Sequence, residues 1–143
     1  MNPEQGNQPI KSFNFEGKEL PVSFIETTHV NDGVDCDVYS FVDDPSKDLG
    51  ILRIKAGFKT PLQKVIKGDD TIEGYLSGKG KLIVVENNGR RREYVADEDS
   101  QKPIEVKVKK GEIMQWVANQ EADLTAYEIC YPPYEDGRFE DLK

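Results

Sequence analysis

Hydrophobic and polar positions along the chain change places in short runs and nowhere sustain helical spacing. PVSFIETT, CDVYSFV, LGILRIKAG, LQKVI, TIEGYLSG, KLIVVE, RREYVA, IEVKVKKG, EIMQWVA and LTAYEICY are rich in Val, Ile, Tyr and Phe, and Gly, Asn, Asp or Pro separates them. Runs of this kind bounded by turn formers predict β-strands. No window keeps a 3.6-residue period for three turns, so helix is expected in fewer than about a tenth of the residues. About ten short strands at this spacing predict a sandwich or a barrel, not a βαβ sheet. The clearest local signal is KLIVVE-NNG-RRREYV. Asn and Gly tolerate the positive φ of a tight hairpin, so Asn87-Asn88-Gly89 predicts one.

Punctuation also sets the domain limits. Residues 1–12 are polar and carry Pro3, Gly6 and Pro9, which predicts a flexible N-terminal arm before a single domain over 13–143. ADEDSQKP, residues 96–103, is expected as a charged loop.

Composition narrows the function classes. The 143 residues suffice for one domain with its own core, and 36% are hydrophobic against 32% charged. A net charge of -8 argues against general binding to nucleic acid or to anionic membranes. No stretch approaches the roughly 20 apolar residues that span a bilayer. MNPEQGNQPIKS lacks the basic and apolar regions of a secretory signal. Cys36 and Cys130 are too few for a disulfide framework and are read as reduced, buried thiols in a cytoplasmic protein.

Two blocks carry a family resemblance. The first runs from Gly57 through TIEGYLSGKGKL, where Tyr75-Leu76-Ser77-Gly78-Lys79-Gly80 forms an aromatic-hydrophobic-x-Gly-x-Gly pattern. The second is VKVKKGEIMQWVA, with Lys110-Gly111-Glu112 as a turn before a strand. With the ending AYEICYPPYEDGRFEDL, the segment from about Gly50 to Tyr131 resembles a cupin domain. The resemblance implies an all-β fold, the cupin-type double-stranded β-helix or jelly-roll barrel. Gly78 and Gly80 are then expected at a sharp reversal where a side chain does not fit. SGKGK is not a phosphate loop, because the spacing of its glycines is wrong and a β run follows.

The chain departs from the family at the metal site. Cupins typically hold a divalent metal with two histidines and a glutamate in the first block and a third histidine in the second. Counting from Gly57 reaches Gln63 and Val65, and counting back from Gly78 reaches Thr71. The sole histidine, His29, lies far upstream, and VANQEAD in the second block supplies none. No transition metal or other cofactor is therefore expected. Asp69, Asp70, Glu73 and Glu128 could offer oxygens to a hard cation, although Asp69 and Asp70 suit a turn.

Strand parity groups Gln63, Val65 and Lys67, and it groups Thr71, Glu73 and Tyr75, which sets Gln63, Lys67, Glu73 and Tyr75 on one face. In the second block either Gln115 or the Met114–Trp116 pair faces inward, and in the last strand either Glu128 or the set containing Tyr127 does. A pocket of Gln63, Lys67, Glu73, Tyr75, Gln115, Trp116 and Glu128 is the candidate ligand site. The alternative sets Lys67 and Glu73 on the outer face as a cross-strand pair. Seven basic residues lie between Arg53 and Lys81 against Asp69, Asp70 and Glu73, which favours an anionic ligand.

The reading is a metal-free cupin-like protein that binds a small polar, anionic molecule resembling a sugar or carboxylate. A metal-independent sugar isomerase or epimerase is the alternative, and a structural or protein-interaction barrel is the third possibility. No catalytic residue is assigned. Ser77 has no base beside it in sequence, and Cys130 in EICY reads as a small buried hydrophobe. A homodimer is expected, with no nucleic-acid or membrane partner.

Overall fold

The computed structural model describes residues 9–66, 70–98, 104–131 and 139–142. They form eleven strands and no helix: β1 (Ser12–Phe15), β2 (Lys18–Asn31), β3 (Val34–Phe41), β4 (Asp44–Ile54), β5 (Leu62–Val65), β6 (Thr71–Val85), β7 (Arg91–Asp97), β8 (Glu105–Val108), β9 (Ile113–Ala118), β10 (Leu124–Cys130) and β11 (Phe139–Leu142). Every pairing is antiparallel. Among these residues there is no helix long and apolar enough to cross a membrane.

Two layers emerge from the pairing order. One runs β1-β2-β3-β4-β10-β6, with β8 on the far edge of β6, and the other continues from β6 through β9 and β5 to β11. The strand common to both is β6. Thr71–Gly78 pairs with β10, whereas Gly80–Val85 pairs with β9 and Lys79–Val85 with β7.

TIEGYLSG and KLIVVE, which read as two strands around a reversal, are therefore one bent strand of 15 residues. The bend needs glycine for a steric reason. Gly78 has φ 89°, and a Cβ there would overlap the carbonyl oxygen of Asp123, as one at Gly80 would overlap that of Val117. The true reversal follows at residues 86–90, where Gly89 has φ 88° and its amide donates to Glu86 O at 2.8 Å. Here the hairpin forms where Asn87-Asn88-Gly89 predicted it.

Alternation along the first layer divides its side chains between two cores. Val34, Leu52, Ile54, Leu124 and Ala126 face inward and meet Val65, Leu82, Val84, Met114 and Trp116 of the second layer. On the outer face Tyr39, Phe41, Leu49, Tyr127 and Ile129 meet Phe13, Phe15 and Val22 of the β1–β2 hairpin. Phe13 stands edge-on to Tyr127 with ring centroids 5.1 Å apart. Each fully buried aliphatic side chain contributes about 1.5–3 kcal/mol of transfer free energy.

Of the segment expected as an arm, residues 1–8 lie outside the described residues. Ile10 donates its amide to the Tyr39 hydroxyl at 3.2 Å, and Lys11 O accepts from Val22 N at 3.0 Å. The expected loop over 96–103 begins later than its composition implies. Ala96 and Asp97 belong to β7, and residues 99–103 lie outside the described set.

Gly89 and Gly78, both at positive φ, separate strain from steric overlap. Gly89→Ala, at a hairpin tip with open space around it, should cost about 1 kcal/mol. Gly78→Ala adds the clash with Asp123 and should cost at least about twice that. Urea denaturation of the two variants checks this, and equal losses would remove Gly78 from its role.

Candidate functional site

The inward face of the first layer carries an unusual row. Register places Val38 opposite Gly50, Gly50 opposite Glu128, Glu128 opposite Glu73, and Glu73 opposite Val106. Directly opposed residues on neighbouring strands share a face, so two glutamates lie side by side within the barrel. Two residues along, Asp48 is opposite Cys130, and Cys130 is opposite Thr71. In the other direction Cys36 is opposite Leu52.

Gly50 has no side chain next to Glu128, and the Cys36 thiol takes the space that a Cβ there would need; beside them the interior opens into a cavity of about 450 Å³. Asp48, Glu128, Cys36, Val38 and Leu52 line it from the first layer, while Thr60, Gln63 and Asp141 line it from the second. Asp141 comes from β11, which pairs with β5 and so forms part of the cavity wall. Gln63 donates Nε2 to Asp141 Oδ1 at 3.1 Å. Glu128 accepts from Cys130 Sγ at 3.5 Å. Thr28 and His29 of β2 complete the lining.

The local field is negative. Burial, and then the negative charges of Glu128, Asp37, Glu73 and Asp48, push the Cys36 thiol up from its ordinary pKa. Two members of the basic run expected to oppose these acids are engaged elsewhere. Arg53 faces outward and grips Asp37 through Nε and Nη2, both at 2.9 Å, an ion pair that raises its pKa. Lys81 meets Glu93 at 3.3 Å. Among the described residues no Lys or Arg lines the cavity.

The residues expected at the ligand site have several fates. Gln63 and Glu128 line the cavity. Glu73 also faces inward, but it is 0% exposed and accepts from Trp116 Nε1 at 2.8 Å, so it is not in an outer-face pair. Trp116, 1% exposed, is held by its neighbour as well: its amide donates to Thr60 Oγ1 and its carbonyl accepts from Thr60 N, both at 2.9 Å. Tyr75 packs on the inner core and donates its hydroxyl to Gly78 O at 2.8 Å. In β9 it is Met114 and Trp116 that belong to the inner core. Gln115, on the opposite parity, donates to Thr60 O at 2.9 Å. Lys67 lies outside the described residues, as does Asp69.

Asp48, Cys36, Thr60 and Asp141 were not anticipated. Alternation in DLGILRI puts Asp48 on the face of Gly50 and Leu52, a signal available from parity alone. His29 reaches the rim because β2 extends along β3 as far as Asn31, and its imidazole is two-thirds exposed and bonded to Asp35 at 3.0 Å.

The family's metal positions do not fit a metal. Gln63, Val65 and Thr71 offer an amide, an alkyl group and a hydroxyl, and the latter two are fully buried. Among the described residues no group of three or more His, Cys, Asp or Glu is arranged to hold an ion. A second cavity, about 510 Å³, lies outside the barrel against Glu16, Ile72, Glu105 and Tyr131. Asp70 and Lys107 meet across it at 3.7 Å, and it touches none of the inward rows.

Comparison with solved structures fixes the architecture. Rru_A2000 from Rhodospirillum rubrum, described as a cupin-2 domain, superposes with a TM-score of 0.60 at 12% identity, over 95% of this chain and 83% of that one. This chain has the cupin fold. Oxalate decarboxylase from Bacillus subtilis gives a TM-score of 0.64 at 16% identity, over 82% of this chain and 30% of that one. The capsular polysaccharide assembling protein CapF from Staphylococcus aureus gives 0.61 at 16%, over 89% and 35%. The chain thus spans about a third of the length of those two proteins, and at such identities the likeness is one of fold. No protein-family model matches the sequence, and no curated protein matches it.

Two outcomes follow for the barrel interior. Glu73→Ala leaves the indole N–H of the only tryptophan without its acceptor and opens a void, and should cost about 2–4 kcal/mol in chemical denaturation. Glu73→Gln keeps an acceptor and should recover most of that. An alanine variant as stable as the parent, with unchanged tryptophan emission, would contradict the role of this bond. Alkylation of Cys36 by iodoacetamide at pH 8 should be far slower in the native protein than in urea, because the thiolate is disfavoured. Equal rates would contradict the negative field.

Proposed function

We propose that this cupin binds a small polar organic molecule in the cavity between its two layers, without a transition metal. The observation that supports it most is the hollow beside Glu128, where apolar walls meet the convergent polar groups of Glu128, Asp48, Gln63 and Thr60. Its volume of about 450 Å³ lies within the range of small-molecule sites. Gln63 and Glu128 are the two sequence-expected residues that serve as ligand contacts in this reading. Glu73, Trp116 and Tyr75 form the packed floor behind them.

Acid–base catalysis has less behind it. Cys36 is held as a thiol, and the exposed imidazole of His29 is engaged with Asp35. The anion expected from the basic run lacks a described cation on the lining. Binding is therefore the better reading, and fold alone does not extend it to the activity of oxalate decarboxylase or the role of CapF.

A thermal-shift panel of sugars, carboxylates, sugar phosphates and amines tests the proposal. A ligand at about a hundredfold excess over Kd stabilises by about 2.7 kcal/mol, which is several degrees in Tm. Val38→Trp, which fills the cavity, should remove the response while the protein stays folded. EDTA at millimolar concentration should leave both Tm and response unchanged. A panel without any response, or a response that survives Val38→Trp, would count against the cavity.

A further inference from the structure

Away from the cavity, the hairpin that joins β6 to β7 holds a reactive pair. The side-chain amide of an asparagine is open to attack by the main-chain nitrogen of the next residue. Glycine in that place has no side chain to block the approach, and Asn88–Gly89 is the one Asn–Gly step in the chain. Both residues are exposed, and a Cβ at Gly89 would meet nothing within 4 Å. Asn88 Oδ1 accepts from Arg90 N at 2.9 Å, a donor aimed at the oxygen where charge builds as Cγ becomes tetrahedral. The Gly89 amide is bonded to Glu86 O, beyond the last strand pair, Val85 with Arg91, where local opening costs least. Asn87 is placed differently: its Nδ2 donates to Lys110 O at 3.4 Å, its side chain packs against Gly111, and Asn88 rather than a glycine follows it.

The β2–β3 hairpin sets nearly the same residues in the opposite situation. Asn31-Asp32-Gly33 differs from Asn87-Asn88-Gly89 by one side chain, and Gly33 also has positive φ, 76°. There the Phe58 ring fills the space over Gly33. Gly33 O accepts from Lys55 N at 2.9 Å, and Asn31 Nδ2 donates to Lys59 O at 3.1 Å. The segment that follows β4 thus pins this turn, whereas the tip at Asn88 stands open.

We infer that Asn88 is a site of spontaneous covalent modification, deamidation through a cyclic imide, to which the open hairpin tip exposes it. The Gly89 nitrogen loses its proton to water or hydroxide and forms a bond to Asn88 Cγ. The Cγ–Nδ2 bond then breaks and the side-chain nitrogen leaves as ammonia. Water opens the imide at either carbonyl. One opening gives aspartate at position 88, and the other gives isoaspartate, whose main chain runs through Cβ and Cγ. In sum a water is taken up and an ammonia released, and no oxidant or cofactor enters. The isoaspartate form lengthens the tip by a methylene and disturbs the bond from Glu86 N to Arg90 O, now 2.8 Å.

Incubation of the full chain at mildly alkaline pH, followed by tryptic mass spectrometry, tests this. Asp32→Asn gives the pinned turn the same tripeptide as the open one, so both sites are read in one molecule. The tryptic peptide 82–90 should gain the mass of an amide-to-acid change and separate into aspartate and isoaspartate forms. The position-32 amide of Asp32→Asn should react at least about tenfold more slowly. In urea the two sites should react at similar rates, which assigns the difference to the fold. Native rates at position 88 no faster than at position 32 overturn the inference. Where Asp32→Asn fails to fold, the wild-type chain decides. A native rate at Asn88 above about a tenth of its rate in urea supports the inference, and a slower one overturns it.

Discussion

The architecture depends on the close approach of β6 to the loop that precedes β10. At Gly78 the backbone of β6 lies against the Asp123 carbonyl so tightly that no Cβ can be placed between them. Lys79 N donates to that same carbonyl at 3.0 Å, and the Asp123 side chain accepts from Ala56 N at 2.9 Å. One contact thus ties the exit of β4, the midpoint of β6 and the entry to β10. Because β6 can bend there, one strand serves both layers, and the inward rows of the two sheets face each other.

Those rows divide the interior into a filled part and a hollow part. Trp116 reaches from the second layer to Glu73 in the first, and the indole–carboxylate bond joins the sheets across the core. Thr60 holds the Trp116 backbone on both its polar groups and itself lines the cavity. The hollow lies beyond Glu73, where Glu128, Asp48 and Gln63 line open volume. Acidic groups therefore occupy both parts with different consequences: Glu73 is a packed acceptor, while Glu128 and Asp48 face open volume.

Much of this was legible in the chain. Period-two runs gave the strands, and Asn87-Asn88-Gly89 gave the hairpin. Parity correctly grouped Thr71 with Glu73, and it offered Glu128 as one of two inward choices in β10. Three things were not legible. SFNF and FEDL form β1 and β11, but four residues are too few for a pattern. Gly78 and Gly80 signal a tight approach without saying whether the chain turns or merely bends there. Parity also tells which face a residue takes but not whether that face meets a core or a cavity. Glu73 and Glu128 are neighbours in one row, and only the position of Trp116 separates their roles. The basic run is legible only as a count for a related reason, because a charge count along the chain carries no information about which side of a strand holds Arg53.

The central claim is that the inward hollow lined by Glu128, Asp48 and Gln63 is the working surface of this chain. Side-chain NMR shift mapping during titration with the panel compound that raises Tm most tests it most directly, since successive residues of a strand face opposite ways. The account predicts shifts at Val38, Leu52 and Glu128, with Tyr39, Ile51 and Tyr127 on the outer face unmoved. Shifts centred instead on Ile72, Lys107 and Tyr131 would place binding in the outer groove and contradict the account.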